Sequence, residues 1–201
     1  AGLAEELIAY DEMFTTEERK ELLEVIAEES REMDALVEDL LIAARSEDAA
    51  VPVFPEVIDL CLLAHDVLHD LTIPAGVSVT VSDGPVDTFA DPVRVRQIVR
   101  NLVTNALRYG GPNIEIDVRD DVDSVSLRVS DDGPGIKAGD RKAVFEPYGR
   151  ASQGATHKAS VGLGLTLSRR LAGLMDGTLE YVDGDGATFL LRLPPPATAS
   201  V

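Results

Sequence analysis

The sequence predicts an α+β protein in two parts: an N-terminal helical hairpin, then a domain in which strands and helices alternate around a mixed sheet. Three observations carry this prediction. The first 46 residues contain no proline and one glycine, Gly2, and their apolar residues recur at steps of three and four. Beyond Pro55, runs of period 2 alternate with runs of helical period, as in Val77, Val79, Val81 and then Val95, Ile98, Val99, Leu102. Charge divides the chain at about the same place, with −12 of the total −18 falling in residues 1–50.

The elements follow in order. Leu3, Leu7, Tyr10 and Phe14 mark a first helix, and Leu22, Ile26, Met33, Leu36, Leu40 and Ala43 mark a second. Thr15 and Glu18 between them form the Ser/Thr-x-x-Glu capping box that starts a helix after a short turn. Two amphipathic helices cannot bury both sides of their stripes alone. A partner copy completing a four-helix bundle is the natural solution, and packing on the chain's own C-terminal domain is the alternative. The hairpin is assigned to residues 1–46, a polar linker to 47–53, the second domain to 54–194 and a loose tail to 195–201. In the second domain Pro55 is expected to open a helix through about Leu71, and residues 77–81 form a strand. Asp91-Pro92 supplies an N-cap with proline in the first helical position, and Gly110 stands where a left-handed C-cap belongs. Ile114, Ile116 and Val118 alternate, as do Val125, Leu127 and Val129, so these read as a hairpin around the acidic turn at 120–123. Residues 163–175 read as a helix, and Thr178–Val182 with Thr188–Leu193 as a final hairpin.

Composition narrows the function. At 45% apolar and 27% charged, the 201 residues can bury a core, and a charge of −18 gives no field that attracts nucleic acid or anionic lipid. A single cysteine, Cys61, excludes an intrachain disulfide and a cysteine-based zinc site, and fits a reducing cytoplasm. No apolar run approaches the roughly 20 residues that cross a bilayer, so no membrane contact is expected within this fragment. His65 and His69, with Asp66 or Asp70, have the spacing to pinch a metal, but Cys61, Leu62, Val67 and Leu68 explain that helix as amphipathic packing.

The candidate chemistry lies between Asn101 and Leu165. On the helix after Asp91, Gln97, Asn101, Asn105 and Arg108 share a stripe beside the core face. Asparagine offers a hard carbonyl oxygen for magnesium and an amide donor for phosphate, and arginine neutralises phosphate charge; alone, such a stripe is most often a solvated face. Asp131-Asp-Gly133-Pro-Gly135-Ile136 follows a strand end, where a carboxylate can accept the exocyclic amine of adenine and glycines admit close backbone approach. Alone it is equally a plain acidic turn. Gly162-Leu163-Gly164-Leu165 opens a helix whose free amides suit phosphate, or whose glycines merely ease packing.

Order and spacing are more specific than any single piece. Asn101-Leu-Val-Thr-Asn105-Ala-Leu-Arg108-Tyr109, then Asp131 to Ile136, then Val144-Phe145-Glu146-Pro147-Tyr148-Gly149-Arg150, then Gly162 to Leu165 resemble the N box, first glycine box, F box and second glycine box of sensor histidine kinases. Met175-Asp176-Gly177 looks like the family's turn before its final hairpin, and residues 1–45 are similar to the dimerisation and histidine-phosphotransfer hairpin.

The resemblance implies half of a dimeric four-helix bundle followed by a two-layer α/β sandwich of the Bergerat ATPase and kinase type, with ATP and magnesium as cofactors. It makes Asn105 the magnesium ligand and places Asn101, Arg108 and Tyr109 on the phosphate side. Asp131 takes the adenine amine, and Gly133, Gly135 and Ile136 shape the adenine pocket. Arg150 and Gly162, Leu163, Gly164 and Leu165 reach the phosphates, and the polar stretch from about Gly149 to Val161 is the lid. Hydrolysing relatives carry a glutamate four residues before the magnesium asparagine, whereas this chain has Asn101, which cannot act as a general base. That favours a kinase over an ATPase.

Departures accompany the matches. Arg108 stands where lysine is commoner, Ser160 where glycine is, and no histidine precedes His65, while His157 lies in the lid without the flanks of a phosphoacceptor. No acceptor is therefore assigned in this chain; it is expected upstream of Ala1. The implied protein is a bacterial two-component sensor kinase that homodimerises through residues 1–46, phosphorylates a bundle histidine and passes the group to the aspartate of a response-regulator receiver domain. The implied location is cytoplasmic, with any membrane anchor upstream. The alternatives are an anti-sigma-type serine kinase of the same fold, against which the hairpin argues, and a non-catalytic nucleotide-binding scaffold, against which Asn105, Asp131 and the glycines argue.

Overall fold

The computed structural model describes residues 10, 13–20, 22–23, 25–26, 52–147 and 163–196. The chain divides into two units, Ala1–Ser46 and Glu47–Val201. In the first, the capping box forms as expected. The Thr15 backbone N–H donates to Glu18 Oε2 at 2.8 Å, and the Glu18 N–H donates to Thr15 Oγ1 at 3.2 Å. The Thr15 N–H and the Thr15 hydroxyl, which also donates to Glu18 Oε2 at 2.8 Å, favour the ionised carboxylate and hold the Glu18 pKa below its ordinary value. The remainder of the expected hairpin lies outside the described residues, as do the lid and the end of the tail.

In the second unit the described elements run β1 (Glu56–Asp59), α1 (Leu60–His69), β2 (Ser78–Val81), β3 (Asp87–Ala90), α2 (Pro92–Tyr109), β4 (Asn113–Asp120), β5 (Val125–Asp131), α3 (Gly164–Leu174), β6 (Thr178–Asp183) and β7 (Ala187–Leu193). A 3-10 turn at Ala143–Phe145 lies between β5 and α3. Five strands form a mixed sheet in the order β2-β4-β5-β7-β6, parallel only between β2 and β4. Ile114, Ile116, Val118, Leu127, Val129, Phe189 and Leu191 are buried on one face. Ile98 and Leu102 of α2, Leu171 of α3 and Leu60, Ala64 and Val67 of α1 complete the core. The other sheet face is polar, crossed by ion pairs such as Arg128 with Asp117 at 2.8 Å and Arg192 with Glu180 at 3.0 Å. This is the two-layer sandwich expected, one sheet under one layer of helices.

Two expectations are corrected. Pro55 does not open a helix: Glu56–Asp59 is a strand pairing antiparallel with β3, with Val57 opposite Phe89, and neither short strand was foreseen. The helix starts at Leu60 because Asp59 is its N-cap, accepting from the Leu62 N–H at 3.1 Å. The β-branched pair Val57-Ile58 favours the extended chain before that cap. Gly110, in turn, is not left-handed, since its φ of −82° and ψ of −167° are extended. The left-handed cap belongs instead to α3, where Asp176 takes φ 57° and the Gly177 N–H returns to Ala172 O at 2.9 Å.

Asp91 is the principal anchor of α2. Its buried carboxylate accepts from the N–H groups of Val93 at 2.9 Å and Arg94 at 3.2 Å, and also from Phe54 at 2.8 Å. The residue that caps α2 thereby fixes the strand leading into the domain. At the other end of the domain Pro194 is fixed, its carbonyl accepting from Thr88 Oγ1 at 2.7 Å and the Phe89 N–H at 3.2 Å.

Candidate functional site

Asp131 ends β5 on the helix side of the sheet, where the register places it opposite Ile114. Its carboxylate is half-buried and accepts from the Gly133 N–H at 2.9 Å. Burial raises its pKa, further helped by the charge of Asp132, and outweighs backbone bonds from Gly133, Ala187 and Gly111 that lower it. The site therefore holds a carboxylate partly stripped of water, with acceptor capacity left for a ligand donor.

Glycines make the room around it. A Cβ on Gly110 would stand 2.6 Å from Asp131 Cγ and 2.5 Å from the Ala106 carbonyl oxygen. One on Gly133 would stand 2.7 Å from Asp131 Oδ1 and from Gly110 Cα, while one on Gly186 would strike the Asp131 carbonyl. Only chain without side chains lets the end of α2, the end of β5 and the β6–β7 turn converge on this carboxylate.

The opposite end of the site lies between α2 and α3. Asn101 donates its amide to Ser168 Oγ at 2.9 Å, and a Cβ on Gly164 would collide with Asn101 Oδ1. Asn101 thus reaches the first turn of α3 because Gly164 leaves space for it. Asn105 sits half-buried one turn further along α2, and Arg108 and Tyr109 are exposed beyond it. Whereas α1 and α2 are capped by Asp59 and Asp91, α3 begins after Leu163 with no side-chain cap among the described residues, and a helix start of that kind suits an anionic acceptor. Leu163 itself is buried, so only its backbone can face a ligand. From Asn101 to Tyr109, α2 rises about 12 Å at the usual pitch.

Between these ends runs the loop from Asp132 to Phe145. Gly135 takes φ 64°, and the loop is held by β6, where Tyr181 Oη meets the Ile136 N–H at 3.3 Å and the Gly186 carbonyl at 3.3 Å. Arg141 Nε donates to the Ile136 carbonyl at 3.3 Å. Phe145 is buried edge-on to Phe189, centroids 6.0 Å apart, and the Arg169 guanidinium lies 3.7 Å from the Phe145 ring centre. Phe145, near the end of the described stretch at Pro147, is therefore fixed on both the sheet and α3.

The structure brings Asp131, Gly133, Gly135 and Ile136 into one loop beside the end of α2, and joins Asn101 to Gly164. Arg150 and Gly162 lie outside the described residues. Sequence reasoning missed Gly110 and Gly111 as packing partners of the acidic loop, and missed Tyr181, Arg141 and Gly186. The doublet Gly110-Gly111 was the available signal, since a C-cap requires only one glycine.

Residues 90–197 match the family of histidine kinase-, DNA gyrase B-, and HSP90-like ATPase proteins. The chain is 35% identical over 156 residues to sensor histidine kinase CpxA of Escherichia coli (strain K12), covering 75% of this chain and 34% of that protein. It is 32% identical over 181 residues to sensor histidine kinase MtrB of Mycobacterium leprae (strain TN), covering 85% of this chain and 32% of that one. The chain thus spans about a third of the length of these curated relatives. Among solved structures, the ATP binding domain of PrrB from Mycobacterium tuberculosis aligns with a TM-score of 0.59 at 26% identity, covering 71% of this chain and 98% of that one. Full-length ShkA in complex with AMPPNP aligns with a TM-score of 0.67 at 26% identity, covering 93% and 41%.

Proposed function

The chain belongs to the family of histidine kinase-, DNA gyrase B-, and HSP90-like ATPases, and from that premise we propose that it is the ATP-binding core of a sensor histidine kinase joined to part of its dimerisation bundle. The observation that carries nucleotide binding is Asp131, a desolvated carboxylate walled by glycines at the helix-side end of β5. It accepts the exocyclic amine of adenine, while Gly133, Gly135 and Ile136 line the ring. The uncapped amides of α3, from Leu163 to Leu165, with Gly162 and Arg150, take the phosphates, and Asn101, Arg108 and Tyr109 flank them. The neighbour ShkA, solved in complex with AMPPNP, supports an adenine nucleotide as the ligand.

Magnesium, when bound, neutralises charge on the phosphates. Asn105 fits it: a half-buried neutral oxygen on the ligand stripe of α2 is a hard ligand that leaves other positions to phosphate and water, as magnesium prefers. Asn101 holds no base for water, and its amide is already engaged by Ser168. The γ-phosphate is therefore reserved for a protein nucleophile. In the parent protein that nucleophile is a bundle histidine upstream of this chain. Residues 1–46 pair with a second copy, and the phosphoryl group passes on to a response-regulator aspartate. No helix of the described residues is long and apolar enough to cross a membrane.

The test is transfer in trans. The chain is incubated with γ-labelled ATP, magnesium and a longer parent chain containing the bundle histidine but carrying Asp131→Asn. Acid-labile, alkali-stable label on the longer chain is expected. Acid-stable phosphoserine, or sustained ATP turnover without protein label, would overturn the kinase reading.

A further inference from the structure

The loop that carries the proposed adenine pocket has no strand partner over Gly133–Lys137, yet the two peptide units flanking the Ile136 Cα are each held by a side chain. The Ile136 N–H donates to Tyr181 Oη at 3.3 Å, and the Ile136 carbonyl accepts from Arg141 Nε at 3.3 Å. The same tyrosine hydroxyl donates to the Gly186 carbonyl at 3.3 Å, in the turn whose backbone abuts Asp131. Arg141 also stacks on the tyrosine, its guanidinium 5.4 Å from the ring centre, and pairs with Asp183, to which Nη1 donates at 2.9 Å. The tyrosine is fixed in turn by Phe189, its cross-strand neighbour, with ring centres 5.7 Å apart and edge-on.

We propose that Tyr181 and Arg141 form a clasp that sets the position of the adenine-recognition loop and act as positioning residues for nucleotide base selection. The inference rests on the ATP-binding reading of Asp131. Its physical basis is preorganisation: a loop held in place before the ligand arrives spares the ordering cost of recognising the amine at the carboxylate. Asp131 is held by β5 and by the Gly133 N–H; the clasp holds the other end, where Gly135 takes φ 64° within reach of the Gly186 carbonyl. Tyr181 binds the Gly186 turn that abuts Asp131, so the clasp belongs to the base end of the proposed site.

The decisive experiment compares ATP and ITP, which lacks the exocyclic amine, by isothermal titration with magnesium on the wild-type chain, Tyr181→Phe and Arg141→Gln. Tyr181→Phe keeps the ring and removes only the hydroxyl. Losing two neutral hydrogen bonds is expected to weaken ATP about three- to tenfold. ITP affinity should change much less, so the ATP to ITP preference narrows. A merely structural role would lower the melting temperature and leave that preference unchanged. Arg141→Gln should narrow it as well, and serves if Tyr181→Phe does not fold. As a control, Glu180→Gln on the opposite sheet face should leave it unaltered. Wild-type preference retained in both clasp variants overturns the clasp while leaving the ATP reading intact. A wild-type chain that binds ATP no better than ITP overturns the reading of Asp131 as the amine acceptor, and the clasp with it.

Discussion

Gly110→Ala tests whether the glycines around Asp131 serve the site or merely the turn. The backbone at this position, φ −82° and ψ −167°, is open to alanine, so the substitution adds no torsional strain and acts through Cβ alone. That atom would lie 2.5 Å from the Ala106 carbonyl oxygen and 2.6 Å from Asp131 Cγ, both well inside van der Waals contact. The carbonyl belongs to α2 and cannot yield easily, so the carboxylate must. Overpacking of this kind costs about 1–3 kcal/mol, which in a domain of this size lowers the melting temperature by roughly 2–10 °C. Displacing the carboxylate by part of an ångström also forfeits a charge-assisted bond worth about 1.5–3 kcal/mol, or roughly 10- to 150-fold in ATP affinity. Calorimetric titration of ATP with magnesium below the melting transition separates the two effects. Gly110→Ala binding ATP within twofold of wild type would refute the packing argument.

Three further outcomes follow from the same geometry. Gly173→Ala should stabilise the domain by about 0.5–1 kcal/mol, because the position is inside α3 and a Cβ there meets nothing within 4 Å; an unchanged or lowered melting temperature would count against the α3 assignment. Asp91→Ala should cost about 2 kcal/mol or more in chemical denaturation, since three backbone amides lose one buried acceptor. The raised pKa of Asp131 makes two signed predictions. Because the folded state favours its protonated form, its contribution to stability is fully present below the ordinary aspartate pKa and is lost as pH rises through the folded value. ATP affinity runs the other way, falling on acidification at a higher pH than an ordinary aspartate would give. Asp131→Asn titrated in parallel should lack that component; identical pH profiles would contradict it.

The strand and helix periods, the capping box at Thr15 and Glu18, and the cap at Asp91 were legible because each rests on neighbours in sequence. Glu56–Asp59 was not, since its reason for being extended is β3, some thirty residues away, and four residues are too few to show a period. Asp131 and Asn105 could be picked out because the glycines after the one and the asparagine four residues before the other make their order and spacing distinctive. The role of Gly110 was misread for the same reason that made it visible. A glycine after a helix suggests a cap, whereas its true constraint, the Asp131 side chain, lies twenty-one residues further on. Tyr181 was hidden by its own chemistry, since an aromatic residue on the core face of a strand reads as packing and its hydroxyl partners, Ile136 and Gly186, come from two separate loops.

The central claim is that Asp131 recognises adenine, and the most direct measurement is calorimetric titration of ATP with magnesium into the wild-type chain and Asp131→Asn. The account predicts saturable one-site binding to wild type and a loss of at least about tenfold in the variant, as expected when a charged acceptor is replaced. Equal affinity in the two chains, or no binding to a folded wild type, would contradict it.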